Sequence, residues 1–199
     1  MSARRHRDER GNMLPLAIAS LFVLFAVLAF AIDQGIAYAA KARQENVLDA
    51  ARSACMDASF ALTAKNSQDP GRAVAEAVVG TAREEGFAGC VTVWFYEEPA
   101  EGLSLSERLW AVGMQMEEEA PTVFSRGYGL SSLPVASHRV VVAEPYASER
   151  AWRPDERACG RYEAAAGAGA AGISFVRMDK LDEFPAEMAD SVRAALSEG

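Results

Sequence analysis

A long apolar stretch near the beginning of the chain decides the fold. Residues 13–32 read MLPLAIASLFVLFAVLAFAI, with no charged side chain and Ser20 as the single polar one. About 20 apolar residues in a helix cover the roughly 30 Å of hydrocarbon in a bilayer. The stretch therefore predicts a transmembrane helix. Pro15 suits its first turn, where a missing N–H breaks no hydrogen bond.

The charges around this stretch predict its orientation. Residues 1–12 form a basic tail with four arginines and two acidic residues. Positive charge is retained on the cytoplasmic side of membrane helices, so the N-terminus is expected in the cytoplasm and the chain from Asp33 onward outside it. The net charge of −8 then divides into +2 for residues 1–32 and −10 for the exported remainder. The predicted location is the cell membrane, with a single pass.

A cleaved signal peptide is the competing interpretation. It shares the basic start and the apolar run, and small residues suited to cleavage stand at Ala29 and Ala31 or at Ala37 and Ala39. The apolar run of a signal peptide is usually about 7–15 residues, which is shorter than this one. Both interpretations export the rest of the chain.

The composition limits what the exported part does. The chain has 199 residues, of which 50% are apolar and 24% charged, so it is expected to fold rather than to stay disordered. A pI of about 4.9 argues against nucleic-acid binding, which needs a basic surface.

The patterns after the apolar stretch predict an α+β protein. Residues 33–66 contain no proline and are expected to prolong the membrane helix as a helical stalk, giving one helix of about 54 residues. Residues 67–199 predict a small extracytoplasmic head with a modest antiparallel sheet and flanking helices. In the head we expect helices over 70–85, 104–119 and 184–196 and strands over 90–96, 139–143 and 173–178. Residues 121–137 are expected as loop with at most a short strand, and residues 145–170 as loop with some helix.

No catalytic, cofactor or metal site is predicted. The two histidines, His6 and His138, are expected on opposite sides of the membrane and cannot share a site. Residues 167–172 spell G-x-G-x-x-G, but a polar segment precedes them and a strand follows, which reverses the dinucleotide-binding order. The three glutamates at 117–119 are interpreted as the solvated end of a helix, because calcium loops need ligands arranged around a tight turn.

Three cysteines, Cys55, Cys90 and Cys159, are expected to face an oxidising exterior. One disulfide among them is consistent with this, and Cys90–Cys159 is slightly favoured because it would tie the late loop to the sheet. Cys55 is then an alternative partner or a free thiol, either buried or bridging two chains.

Small residues mark the end of the membrane helix. Ala31, Gly35 and Ala39 recur every fourth position, and such rows let another helix approach closely, although an alanine-rich helix also produces them by chance. Asp33 stands where the helix leaves the bilayer. Its carboxylate is expected either in water or in contact with a partner helix.

Four short pieces of the N-terminal region occur in an order typical of one family. They are Arg10-Gly11-Asn12, the apolar helix, the run AIDQGIAY at 31–38, which ends in Tyr38, and Asn46 followed by Asp49-Ala50-Ala51. Over about residues 8–60 this order and spacing resemble the TadE/TadG-like proteins of Tad/Flp pilus assembly.

The resemblance implies a non-enzymatic component of a Tad-type pilus assembly and secretion system, related to type IV pili and to cell adhesion. Its implied partners are the lipid bilayer, other pilus-assembly membrane proteins or pilins, and a second copy of itself. Members of the TadE branch are minor pseudopilins, processed after a glycine with Glu at the fifth mature position. The fifth residue after Gly11 is Leu16, so the unprocessed, TadG-like branch fits better.

A membrane-anchored extracytoplasmic binding module or enzyme of unknown substrate is the alternative. A pocket with convergent polar groups and a strongly displaced carboxyl pKa would favour it.

Overall fold

The computed structural model describes residues 13–97, 110–143 and 159–198 and confirms the α+β class, with a five-stranded antiparallel sheet. By their contacts these residues divide into two compact units. Unit 1 combines the described part of Met1–Ala39 with Ala120–Leu133, and unit 2 combines the described parts of Ala40–Glu119 and Pro134–Gly199. The elements are α1 (Met13–Cys55), α2 (Ala58–Asn66), α3 (Pro70–Glu84), β1 (Cys90–Glu97), β2 (Trp110–Pro121), β3 (Ser132–Ala143), β4 (Gly160–Ala165), β5 (Ser174–Arg177) and α4 (Ala186–Glu198).

The N-terminal part of α1 is long and apolar enough to cross a membrane. Its most apolar 18-residue window has a mean hydropathy of 2.6, and none of that window is buried against the rest of the protein. The core helix of a soluble domain would be covered instead. The Ser20 hydroxyl donates to the Leu16 carbonyl at 2.8 Å, so this polar group is satisfied within the helix.

The prediction of one unbroken helix from residue 13 to residue 66 is wrong at one point. α1 ends at Cys55, and Asp57 adopts an extended conformation before α2. The Asp57 carboxylate accepts hydrogen bonds from the N–H groups of Ser59 and Phe60 at 3.0 and 3.2 Å, which makes it the N-cap of a new helix. The break allows the chain to turn where the alanine-rich pattern alone favoured continuation.

The sheet of unit 2 has the order β3-β2-β1-β4-β5. β1 is the central strand, and it pairs antiparallel with β2 from Cys90↔Glu117 to Glu97↔Trp110. On its other side β1 pairs antiparallel with β4, from Cys90↔Ala165 to Phe95↔Gly160. The predicted strand over 90–96 and the predicted helices over 70–85 and 184–196 are confirmed to within two residues at each end.

The two faces of this sheet bury two apolar clusters, because successive strand residues point to opposite faces. One cluster joins alternate residues of β1 and β2 to α3 and to the C-terminal part of α1, and it includes Leu48, Val78, Val91, Phe95 and Met114. The other joins the opposite face to α4, and it includes Tyr96, Ala111, Phe184, Met188 and Val192. The segment predicted as a stalk therefore contributes to the core of unit 2.

Two further predictions in the head are wrong. Residues 110–119, expected at the end of a helix over 104–119, belong to β2, and residues 104–109 lie outside the described part. Alternate residues of β2 from Trp110 to Met116 are buried in one cluster, and this period-two pattern overrides the helical spacing of its apolar residues. The prediction of loop with some helix over 145–170 is wrong at 160–165, because pairing on both sides makes β4 a strand although alanine and glutamate have low strand propensity. β3 also begins earlier than predicted, at Ser132.

The start of α3 is fixed by contacts with Tyr162 of β4. Asp69 caps the helix by accepting from the Arg72 N–H at 2.8 Å, and it also accepts from the Tyr162 hydroxyl at 2.9 Å. The Tyr162 ring lies directly over Gly71, so that a Cβ there would come within 2.5–2.9 Å of the ring and its hydroxyl. Tyr162 is 2% exposed and also stacks on Phe175, with ring centroids 4.8 Å apart, so it has little room to move.

We therefore expect Gly71→Ala to destabilise unit 2 by about 1–3 kcal/mol through overpacking. Gly80→Ala, in the same helix, is the matched control, because nothing lies within 4 Å of a Cβ at Gly80. That variant should stabilise the protein by about 0.5–1 kcal/mol, since alanine favours a helix interior over glycine. Urea unfolding of the full chain in detergent, followed by tryptophan fluorescence, measures both, and equal effects of the two variants would contradict the close contact.

Candidate functional site

The carboxylate of Asp33 binds the connection between β2 and β3. Its Oδ1 accepts hydrogen bonds from the backbone N–H groups of Val123 at 2.7 Å and Phe124 at 3.2 Å. Its Oδ2 accepts one from the N–H of Ser125 at 2.6 Å. Asp33 is only 1% exposed, and all four residues belong to unit 1. We call this arrangement of Asp33 with residues 123–125 the Asp33 clamp.

The local backbone explains why these N–H groups are available. Ser125–Tyr128 forms a short 3-10 helix, which Gly129 ends in the left-handed conformation at φ 88° that glycine adopts without strain. N–H groups at the start of a helical turn have no partner within it and favour a negative charge. Asp33 supplies that charge from α1.

These hydrogen bonds displace the pKa of the Asp33 carboxyl. The Ser125 side chain contributes most, and the backbone N–H groups of Val123, Ser125 and Phe124 add to it. Together they overcome the opposing effect of burial and lower the pKa from 3.8 to about 2. Asp33 is therefore ionised at every physiological pH.

The other residues expected to pack against a partner helix are exposed. Ala31, Gly35, Tyr38 and Ala39 all lie at the surface of unit 1, Tyr38 with 71% of its area accessible, and a Cβ at Gly35 would meet nothing within 4 Å. At about 100° per residue these four positions share one helix face and Asp33 lies on the opposite face. The prediction that Asp33 meets water or a partner helix is corrected, because its acceptors are used within its own chain.

The structure does not bring Cys90 and Cys159 together. Cys90 lies opposite Ala165 at one end of β1, whereas Cys159 precedes Gly160 near the other end, where its Sγ accepts from the Glu97 N–H at 3.3 Å. Five strand residues separate the two ends by about 16 Å, and a disulfide requires Cα atoms within about 7 Å.

All three cysteines are free thiols, but their surroundings differ. Cys55 and Cys159 are buried, and burial raises the pKa of the Cys55 thiol to about 12. Cys90 is exposed; partial burial and then the carboxylates of Glu163 and Glu117 raise its pKa as well.

Two clefts lie in the described part of unit 2. One, of about 550 Å³, is lined by Cys90, Pro134 and the three glutamates of 117–119, which lie on β2 rather than at a helix end. Glu118 pairs with Arg43 at 2.7 Å. The other, of about 280 Å³, is lined by residues that include His138 and Glu187, whose Nε2 and Oε2 are 2.6 Å apart. Among the described residues, no group of three or more histidine, cysteine or acidic side chains is arranged to hold a metal ion.

The sequence indicated one half of the Asp33 clamp and missed the other. The position of Asp33 points to a role, but Val123, Phe124 and Ser125 stand 90 to 92 residues away, in a segment whose sequence predicts loop with at most a short strand. The contact uses backbone N–H groups, which every residue type but proline carries. Gly11, where processing was considered, lies outside the described residues.

Comparison of the chain with protein-family models, with curated proteins and with solved structures finds no match. The resemblance to pilus-assembly proteins therefore depends on the quoted residues alone.

Replacement of Asp33 by alanine should release residues 123–125. We expect faster hydrogen exchange at the N–H groups of these three residues in Asp33→Ala than in the wild type, because they lose their acceptor. Asp57→Ala is the matched control: it also removes a carboxylate that caps backbone N–H groups, but it should affect only Ser59 and Phe60. Unchanged protection of residues 123–125 in Asp33→Ala would contradict the clamp.

The pH dependence of the Asp33 clamp has a definite sign. Because the pKa is lowered, the stabilisation is complete above 3.8, the ordinary value, and is lost as the pH falls through about 2. Titration of the Asp33 carboxyl carbon by NMR in the full chain should give a midpoint near 2 and no transition between pH 5 and pH 8. A midpoint near the ordinary value would mean that the carboxylate is not bound.

The cysteines should differ in reactivity. A maleimide reagent should modify one thiol of the native chain, at Cys90, and all three after denaturation, because Cys55 and Cys159 are buried. Intact mass spectrometry counts the labels, and Cys90→Ser should take none in the native state. A native wild-type chain that takes no label and gains one after reduction would show a disulfide at Cys90 instead.

Proposed function

We propose that this protein is a single-pass membrane component of a Tad-type (Flp) pilus assembly and secretion system, of the TadG-like kind, and that it acts without catalysing a reaction. α1 crosses the membrane with the N-terminus in the cytoplasm, and unit 2 lies outside it. The sequence pattern over residues 8–60 supports the family, and the exposed apolar surface of residues 13–32 supports the membrane anchor. The basic tail supports the orientation.

The observation that carries the proposal is the division of the helix around residue 33 into two faces. One face holds Asp33, which is buried against its own chain. The opposite face carries Ala31, Gly35 and Ala39, which are exposed and small. Small residues allow two helix backbones to approach closely, and this row crosses the end of the predicted span, with Ala31 inside it and Gly35 and Ala39 beyond it.

This free face is the proposed contact with the assembly machinery. Its partner is a helix of another pilus-assembly membrane protein, of a pilin or of a second copy of the chain. Tyr38 lies on the same face and is 71% exposed. Its apolar ring and its hydroxyl are therefore both accessible to a partner helix near the membrane boundary.

Site-specific photocrosslinking in cells tests this proposal. A photoreactive residue at Ala31, Gly35 or Ala39 should crosslink to a pilin or a pilus-assembly membrane protein identified by mass spectrometry. Phe30 is the control position, because it is 61% exposed at the same depth but is turned away from the row of small residues. Deletion of the gene should also abolish pili. Crosslinks to lipid alone, together with normal piliation after deletion, would contradict the assembly role.

A further inference from the structure

The connection between β2 and β3 exposes an unusual amount of apolar surface. Within residues 122–131, which we call the interfacial loop, four large apolar side chains are 47–83% exposed: Val123, Phe124, Tyr128 and Leu130. Scattered single apolar residues on a surface are ordinary, but four within eight positions of one loop form a patch, and such patches mark interaction sites.

The interfacial loop is held in shape by its own hydrogen bonds. The Thr122 N–H donates to the Ser131 carbonyl at 3.1 Å and closes the base of the loop, and the Leu130 N–H donates to the Ser125 carbonyl at 3.2 Å. The Thr122 hydroxyl donates to the Leu130 carbonyl. The apolar side chains are thus presented by a preformed backbone and do not need a partner to order it.

The Asp33 clamp fixes where the interfacial loop lies along α1. Asp33 immediately follows the apolar run of 13–32, and its carboxylate oxygens lie 2.6–3.2 Å from the backbone nitrogens of residues 123–125. Loop and helix end belong to the same compact unit. Val123 and Phe124, two of the exposed apolar residues, are therefore held beside the end of the apolar stretch.

We propose that the interfacial loop is a second membrane contact, which inserts its apolar side chains between the lipid headgroups where α1 leaves the bilayer. This inference rests on the proposed membrane anchoring of α1. A residue next to the end of a membrane span lies at the headgroup level, and the clamp holds the loop at that level. Aromatic residues such as Phe124 and Tyr128, with a ring and in one case a hydroxyl, suit this boundary.

The charge of the interfacial loop also fits contact with lipid headgroups. Arg126 is exposed and is the one charged residue among 122–131, whereas the chain as a whole carries −8. A positive side chain beside exposed apolar ones is the composition of segments that lie in the interface of membranes with anionic lipids. A loop that merely faced water would gain nothing from this composition.

Fluorescence in vesicles of phosphatidylcholine and phosphatidylglycerol tests the inference on the full chain. In a Cys90→Ser background, an environment-sensitive fluorophore is attached to Tyr128→Cys. Leu24→Cys, within the apolar run, serves as the control for membrane insertion, and Glu84→Cys, exposed on α3, as the control for the aqueous surface. The label at position 128 should emit at shorter wavelength than the label at 84. It should lose most of its emission to lipids that carry a spin label near the headgroup.

The labels at positions 24, 84 and 128 distinguish failure of the loop inference from failure of the proposed membrane anchoring. If the label at 24 is quenched by spin labels deep in the bilayer but the label at 128 is quenched by aqueous iodide, the membrane anchoring of α1 is supported and the loop inference is overturned, because the apolar patch then faces water. If the label at 24 is also quenched by iodide, membrane anchoring fails and the loop inference fails with it.

The role of the Asp33 clamp is tested in the same assay. Asp33→Ala should reduce the lipid quenching of the label at 128 while leaving that of the label at 24 unchanged. Asp57→Ala should change neither. Full lipid quenching at 128 in Asp33→Ala would overturn the claim that the clamp places the loop.

Discussion

A carboxylate that is taken out of water needs hydrogen-bond donors, and for Asp33 the donors come from a segment 90 residues further along the chain. Three successive backbone N–H groups bind its two oxygens, and their dipoles replace the water that the burial removes. This contact ties the connection between β2 and β3 to the end of the apolar stretch, and both belong to the same compact unit. The membrane contact proposed for residues 122–131 depends on this contact, because Asp33 directly follows the stretch of α1 that is proposed as the membrane anchor.

The clamp also makes the two faces of α1 near residue 33 different from each other. The hydropathy of residues 13–32 is high all round, so nothing in that stretch alone selects a face for a partner. Burial of Asp33 commits one side of the helix to the chain itself, and it leaves Ala31, Gly35 and Ala39 on the opposite side uncovered. At the level of residue 33, a neighbouring helix therefore has this uncovered side to pack against. This asymmetry is the basis of the proposed contact with a partner helix.

Much of the fold could be predicted from local patterns, and the errors occur where distant pairing decides. The apolar helix, α3, β1 and α4 follow from periodicity and capping residues near in sequence. β2 and β4 do not, because their residues become strands by pairing with β1, and this long-range pairing overrides the helical spacing before Met116 and the weak strand propensity of 160–165. Asp57 carried a local signal, an N-cap, that the alanine-rich context concealed. At the candidate site, position indicated Asp33, but its donors are backbone groups, which no side-chain pattern reveals.

Residue 33 is an ionised aspartate rather than a neutral hydrogen-bonding residue, and this determines how the clamp responds to pH. A carboxyl whose pKa is lowered to about 2 keeps its charge from mildly acidic to alkaline pH, so the clamp stays closed over that range. An ionised carboxylate at the end of an apolar helix is costly unless it is solvated or paired, and here the N–H groups of residues 123–125 stand in for the solvent. The carboxylate can therefore stay ionised beside the end of the apolar stretch, and the N–H groups that bind it hold residues 123–125 at the same point. A neutral side chain would be cheaper to bury, but it would bind the three N–H groups less strongly and would hold residues 123–125 less firmly at the end of the apolar stretch.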